Sequence, residues 1–133
     1  MLLRYPLFVD LPRKKSKPKR VYSSLNVFRN LNHFTANECK HMYKDICWAQ
    51  LSAMPQQRLS SPCEVTVTLF APDSRDRDLG NFCTMIQKYS DDAVVEFGLL
   101  KDDSVKFIKR VVYEWGGVDR ADPRIEVHYQ DEA

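Results

Sequence analysis

The sequence predicts a small single-domain α+β protein, a mixed β-sheet of about four strands carrying two main helices. Three observations carry that expectation. Apolar residues recur with a period of two in some segments and of about 3.6 in others, in the order strand, helix, strand, helix, strand, strand. A chain of 133 residues suits one domain and can bury a core without disulfides or a structural metal. Hydrophobic residues make up 44% and charged residues 29%, far from the composition that keeps a chain disordered. Residues 1–133 are therefore read as one domain, with a flexible basic loop at 13–20.

The elements follow in order. Leu2 to Leu11 is rich in strand formers and ends at Pro12, which predicts an opening strand. Arg13 to Arg20 holds six basic residues in eight, with Pro18 among them, and predicts the loop. Thr35 and Glu38 are spaced as a capping box, and Cys39, Met42, Tyr43, Ile46 and Cys47 recur at helical spacing. A helix from Thr35 to near Ala53, before Pro55, follows from that stripe. Glu64 to Phe70 alternates cleanly, with Val65, Val67 and Leu69 on one side, and predicts a strand. A charged turn, Asp73 to Asp78, leads into a second helix over Asn81 to Phe97, which Gly98 is placed to stop. The loop Lys101 to Ser104 precedes strands over Lys106 to Trp115 and Arg124 to Tyr129. Gly116-Gly117 lacks the Lys-Ser/Thr of a phosphate-binding loop and reads as a turn between strands.

Charge is segregated along the chain. Residues 1–62 carry 11 Lys+Arg against 3 Asp+Glu, a net of +8, whereas residues 63–133 carry 9 against 15, a net of −6. A basic half offers an electrostatic footprint for phosphates. The candidate phosphate contacts on DNA are Arg13, Lys14, Lys15, Lys17, Lys19 and Arg20 in the loop and Arg29 beyond it, with Arg75, Arg77, Lys106 and Arg110 in the acidic half. The plainer reading of the same residues is a solvated loop and a charged, protected sheet edge. Tyr22, Phe28, Phe34, Trp48 and Tyr113 either stack on unpaired bases or pack in the core, with Phe28 and Phe34 the foremost stacking candidates.

Cys39, Cys47, Cys63 and Cys83 form no Cys-x-x-Cys pair, so reduced thiols in a cytoplasmic protein are expected. No apolar stretch is long enough to span a bilayer, and no membrane partner is expected. His33, His41 and His128 fall in separate elements without zinc-ligand spacing.

Acidic residues gather at Asp76 and Asp78, at Asp91 and Asp92, and at Asp102 and Asp103. Magnesium takes one or two protein carboxylates and completes its shell with water and substrate phosphate, so such groups beside a basic surface suit metal-assisted phosphodiester hydrolysis. Turn formation and helix N-terminal charge are the competing uses of the same residues.

Several blocks carry a family resemblance. Arg77-Asp-Leu-Gly-Asn81, a following helix with Lys88 and Asp92-Ala-Val, Gly98-Leu-Leu-Lys-Asp-Asp103 and a strand ending in Gly116-Gly117 resemble the RusA-type Holliday junction resolvases of bacteria and their phages. Ser24 to Asn30 is similar to the family's N-terminal segment, and the likeness covers most of the chain from Leu25 onward. It implies an α+β homodimer that uses Mg2+ or Mn2+, and no small-molecule cofactor, to make paired nicks in four-way junctions. By position, Asp78 and Asp103 would be catalytic metal ligands, Asp76, Asp92 or Asp102 would complete the site, and Lys88 would stabilise developing phosphate charge.

The sequence departs from the family pattern twice. Gly80 stands where the family has the second Asp of Asp-x-Asp, and four extra residues separate Asn81 from Asp92, which places Thr84 at the Lys position if no gap is allowed. Three functional expectations result: a metal-dependent junction endonuclease of the bacterial cell or its phages, as the alternative a branched-DNA-binding protein of the same fold that does not cut, and third a structural or regulatory phage-type protein with no DNA role.

Overall fold

Strict alternation makes the strand Cys63–Ala71 the centre of the molecule, with Cys63, Val65, Val67, Leu69 and Ala71 all fully buried on one face. In the computed structural model, which describes residues 1–55, 59 and 62–131, this strand is β4. The elements before it are β1 (Leu2–Tyr5), β2 (Phe8–Leu11), β3 (Lys19–Tyr22), α1 (Leu25–Arg29) and α2 (His33–Ser52). Those after it are α3 (Leu79–Phe97), β5 (Ile108–Val118) and β6 (Arg124–Asp131). The result is a small α+β domain with a mixed four-stranded sheet, order β1-β6-β4-β5, and a separate β2-β3 hairpin.

β4 pairs antiparallel with β6 and parallel with β5. A parallel pair needs a crossover, and α3 supplies it, running back across the sheet from the end of β4 towards the start of β5. α2 and α3 pack on the same face as the buried side chains of β4, β6 and β1, which include Ile125, Val127, Tyr129, Leu3 and Tyr5. Tyr43 and Tyr89 stack between the helices at 5.0 Å, and Trp48 donates its indole N–H to the Ala93 carbonyl at 3.0 Å. Trp48 is thus a packing residue. The opposite sheet face, carrying Thr66, Thr68, Glu126 and His128, has no helix over it among the described residues.

Several sequence expectations are corrected. The opening strand is two strands in two sheets, because Pro6 cannot donate to a ladder and the chain turns there; Leu7 then accepts from the Ser23 N–H and hydroxyl. The basic segment 13–20 is not all loop, since Lys19 and Arg20 pair with Leu11 and Asp10 in the hairpin. A third, five-residue helix, α1, precedes the two long ones. α2 starts two residues before Thr35: Asn32 is its cap, accepting from the Thr35 N–H, while Glu38 turns away to bind Arg13. α3 starts at Leu79, two residues before Asn81, and β5 begins at Ile108 rather than Lys106. Gly98 does end α3, in the left-handed conformation at φ 97°.

Gly116-Gly117 is no turn. The register between β4 and β5 slips by one residue there, so Gly116 is the extra residue of a β-bulge and the strand continues to Val118.

Candidate metal and nucleic-acid site

Asp78 is the N-cap of α3: extended backbone brings its carboxylate round to accept the Gly80 N–H at 3.0 Å. It opens into a shallow cavity of about 310 Å3 that Asn26 and Arg29 of α1 share with Gly80, Asn81 and Thr84 of α3. Asn81 fixes the two helices together by accepting the Asn26 N–H through its side-chain oxygen at 3.1 Å. An exposed carboxylate, a guanidinium and three small polar side chains therefore line one open space.

The loop leading to Asp78 is held by Asp73. That carboxylate accepts the Arg75 N–H at 3.1 Å and binds Arg77 at 2.7 Å, and these contacts, the Arg75 N–H first, hold it below the usual carboxylate range. Arg77 also donates to the carbonyls of Asp73 and Arg75, so it is a latch inside the loop. Asp76 is exposed in the same loop and does not line the cavity.

The other predicted ligands lie elsewhere. Asp92 is fourteen positions along α3 from Asp78, about 21 Å at the helical rise per residue. Lys88 is about 15 Å along and forms an i,i+4 ion pair with Asp92 at 3.5 Å. Asp102 and Asp103 are exposed beyond the far end of the helix, where Asp102 accepts the Asp103 N–H at 2.8 Å. Among the described residues, no three His, Cys, Asp or Glu side chains of one chain come together as a metal site. Asp78 and Asp103, the two carboxylates that the resemblance pairs as ligands, lie at opposite ends of α3 in one chain.

Asp91, passed over in favour of its neighbour Asp92, is buried at the hub of a polar network. Tyr5 donates to Ser90 at 2.8 Å, Ser90 meets the Tyr129 hydroxyl at 2.8 Å, and Tyr129 donates to Asp91 at 2.7 Å. From the other side Gln87 donates to Asp91 at 3.0 Å and takes a 2.6 Å hydrogen bond from Tyr113. Burial pushes the Asp91 carboxyl up to about 6, with the charges of Asp103 and Asp92 adding to it and the two donors opposing it. Asp103 therefore belongs to the Asp91 end of α3. A sequence signal existed: Tyr5 and Tyr129 sit at inward positions on strands, and buried tyrosines need partners.

The basic candidates are dispersed. Lys14, Lys15 and Lys17 are exposed between β2 and β3, and Lys19 is exposed on β3. Arg13 is held by Glu38 at 3.0 and 3.3 Å, and Arg20 by Asp10 at 2.9 and 3.2 Å while stacking on Phe8. Arg75 is 85% exposed, Lys106 is exposed, and Arg110 lies 3.8 Å from Glu64. Of the aromatic candidates, Phe34 is 73% exposed beside His33, and Phe28 and Tyr22 are partly exposed, whereas Tyr113 is tied to Gln87. All four cysteines are free and buried, and no helix among the described residues is long and apolar enough to cross a membrane.

In comparisons with known proteins, the chain matches no protein-family model and no curated protein.

Proposed function

We propose that this chain is a metal-dependent endodeoxyribonuclease that nicks branched DNA, four-way junctions in particular, as a homodimer. The observation that carries the reading is the open polar cavity at the start of α3, where the exposed Asp78 and Arg29 line the same space. A carboxylate there suits a hard divalent ion, and a guanidinium suits the phosphate that completes the ion's shell. Asp78, Gly80 and Asn81, within the block that carries the resemblance to RusA-type resolvases, are among the residues that line it.

Because Asp103 lies at the opposite end of α3, a site that uses both carboxylates draws Asp78 from one protomer and Asp103 from the other. Dimerisation is then a condition of metal binding as well as a match to a two-fold substrate. Asp78 would hold a divalent ion there, which would supply charge stabilisation at the phosphate and an activated water. Arg29 orients the phosphate, and the lysines between β2 and β3 add salt-sensitive affinity for the backbone.

Gly80 favours a second reading. It leaves the cavity with one carboxylate, which suits a protein that binds branched DNA without cutting it.

The test is cleavage of a labelled four-way junction beside its linear duplex, with Mg2+, with Mn2+ and with chelator. Wild type should nick the junction symmetrically, and Asp78→Asn and Asp103→Asn should each lose at least about a hundredfold in rate. Mixing the two inactive variants should restore single nicks, since one of the two sites in a mixed dimer is then intact. Tight junction binding with no nicks in either metal would establish the binding protein instead.

A further inference from the structure

The two edges of the sheet are unlike. β1, at one edge, has four residues, whereas β5, at the other, has eleven and no strand on its outer side among the described residues. Long exposed edges template pairing with another strand, and proteins usually blunt or cover them. This one displays Val111 at 41% exposure, Trp115 at 48% and Val118 at 43%.

The ladder identifies the open backbone groups. Cys63 donates its N–H to the Phe107 carbonyl, and Ala71 accepts the N–H of Asp119, so the odd-numbered residues of β4 aim their backbone at β5. In a parallel ladder the residue side by side with such a residue aims its own groups the other way. Val111, Tyr113 and Trp115, side by side with Val65, Val67 and Leu69, therefore direct N–H and C=O outward.

We infer that β5 is the dimerisation edge: it pairs antiparallel with β5 of a second copy of this chain about a two-fold axis at Val112, joining two four-stranded sheets into one. Self-complementarity selects both the occupant and the register. With the axis at Val112, Val111 exchanges hydrogen bonds with Tyr113 of the partner subunit, and both residues have outward backbone groups. Arg110 then faces Glu114 of the partner subunit on the open sheet face, and symmetry repeats the pair. Moving the axis to Tyr113 would set Arg110 opposite a glycine, and moving it to Val111 would set Glu114 opposite Ile108. Shifts by a single residue put outward backbone groups opposite inward ones.

The same pairing has a consequence at the ends of the sheet, and this part rests on the function proposed above. β5 starts five residues after Asp103 and finishes beside Ala71, the β4 end from which the chain runs to Asp78. An antiparallel partner lays the start of its β5 alongside the finish of this one. The loop carrying Asp103 of the partner subunit is thereby brought to the end of the sheet where Asp78 lies, the two carboxylates that one chain keeps apart.

Association is read by sedimentation over a range of concentrations, with circular dichroism as the control for folding. Wild type should be a dimer. Arg110→Glu and Glu114→Arg should each weaken it by about tenfold or more by opposing like charges twice, and the double charge swap should restore it. Val112→Cys should form an interchain disulfide on mild oxidation, because a non-hydrogen-bonded antiparallel pair sets its Cα atoms about 4.5 Å apart, within disulfide reach. Val111→Cys, whose neighbour is then a tyrosine, should not. A monomeric wild type, or a dimer indifferent to both charge changes and without the Val112 cross-link, would overturn the inference. Cleavage is not the readout, so the edge and the junction activity can fail separately.

Discussion

The two ends of α3 use the same residue type for opposite purposes. At its start Asp78 is exposed, caps the helix with one hydrogen bond and faces an open cavity. Thirteen residues on, Asp91 is 4% exposed, accepts hydrogen bonds from Tyr129 and Gln87, and is held towards its neutral form by burial. Clustered aspartates thus say little by themselves about chemistry. What separates a candidate ligand from a structural hub is the company each carboxylate keeps, since a buried charge is tolerated only where donors surround it.

The contrast is sharpest in stability. At pH 5, Asp91→Ala should cost about 4 kcal/mol in urea unfolding, because the Tyr129 and Gln87 donors lose a buried acceptor at about 1 to 3 kcal/mol each. Asp78→Ala should cost only about 1 kcal/mol, the ordinary value of a helix cap. Equal losses at the two ends would erase the distinction.

The pH dependence of the same hub is the next largest effect. Burial makes folded Asp91 hold its proton more tightly than the unfolded chain does, so its stabilising contribution is complete below the ordinary value of 3.8 and is lost as pH rises through about 6. Asp91→Asn stays neutral and should remove about 3 kcal/mol of that loss, seen as a flatter difference curve of stability between pH 4 and about 7. An unchanged slope would mean that Asp91 is ionised in the fold without penalty.

The smallest effect probes the start of the helix. A Cβ added at Gly80 meets only the Asp78 carboxylate oxygen, at 3.4 Å, so aspartate fits there. Gly80→Asp should stabilise the helix start by about 0.3 to 1 kcal/mol through the helix dipole. It should also raise the thermal midpoint further in Mg2+ than in chelator, and raise junction cleavage. A midpoint indifferent to Mg2+ would remove the cavity from consideration as a metal site.

Much of the fold was legible in the sequence because its signals are local. The β4 alternation, the α3 stripe and the Gly98 stop each declare themselves within one element. The Pro6 break and the bulge at Gly116 were not, because each depends on which strand lies alongside. The candidate site was legible only in part. The charged turn before α3 was legible, but the helix starts two residues earlier than its pattern predicts, which makes Asp78 the cap, and the separation of Asp78 from Asp103 follows from the length of α3. The choice of Asp91 over Asp92 as the buried member turns on which face of α3 meets Tyr129, a long-range contact.

The bulge at Gly116 also bears on aggregation. A Cβ at that position would lie 2.7 Å from the Phe70 ring, and Arg124 stacks over the same ring at 4.1 Å, so the kink is locked by its neighbours. With a second register shift between Cys63 and Glu64, only the stretch from Arg110 to Trp115 runs straight. Fibrils grow on long flat edges that can be copied repeatedly. A straight stretch limited to Arg110–Trp115 and kinked at both ends favours a closed pair over an endless stack, and a side chain introduced at Gly116 would remove one of the two stops.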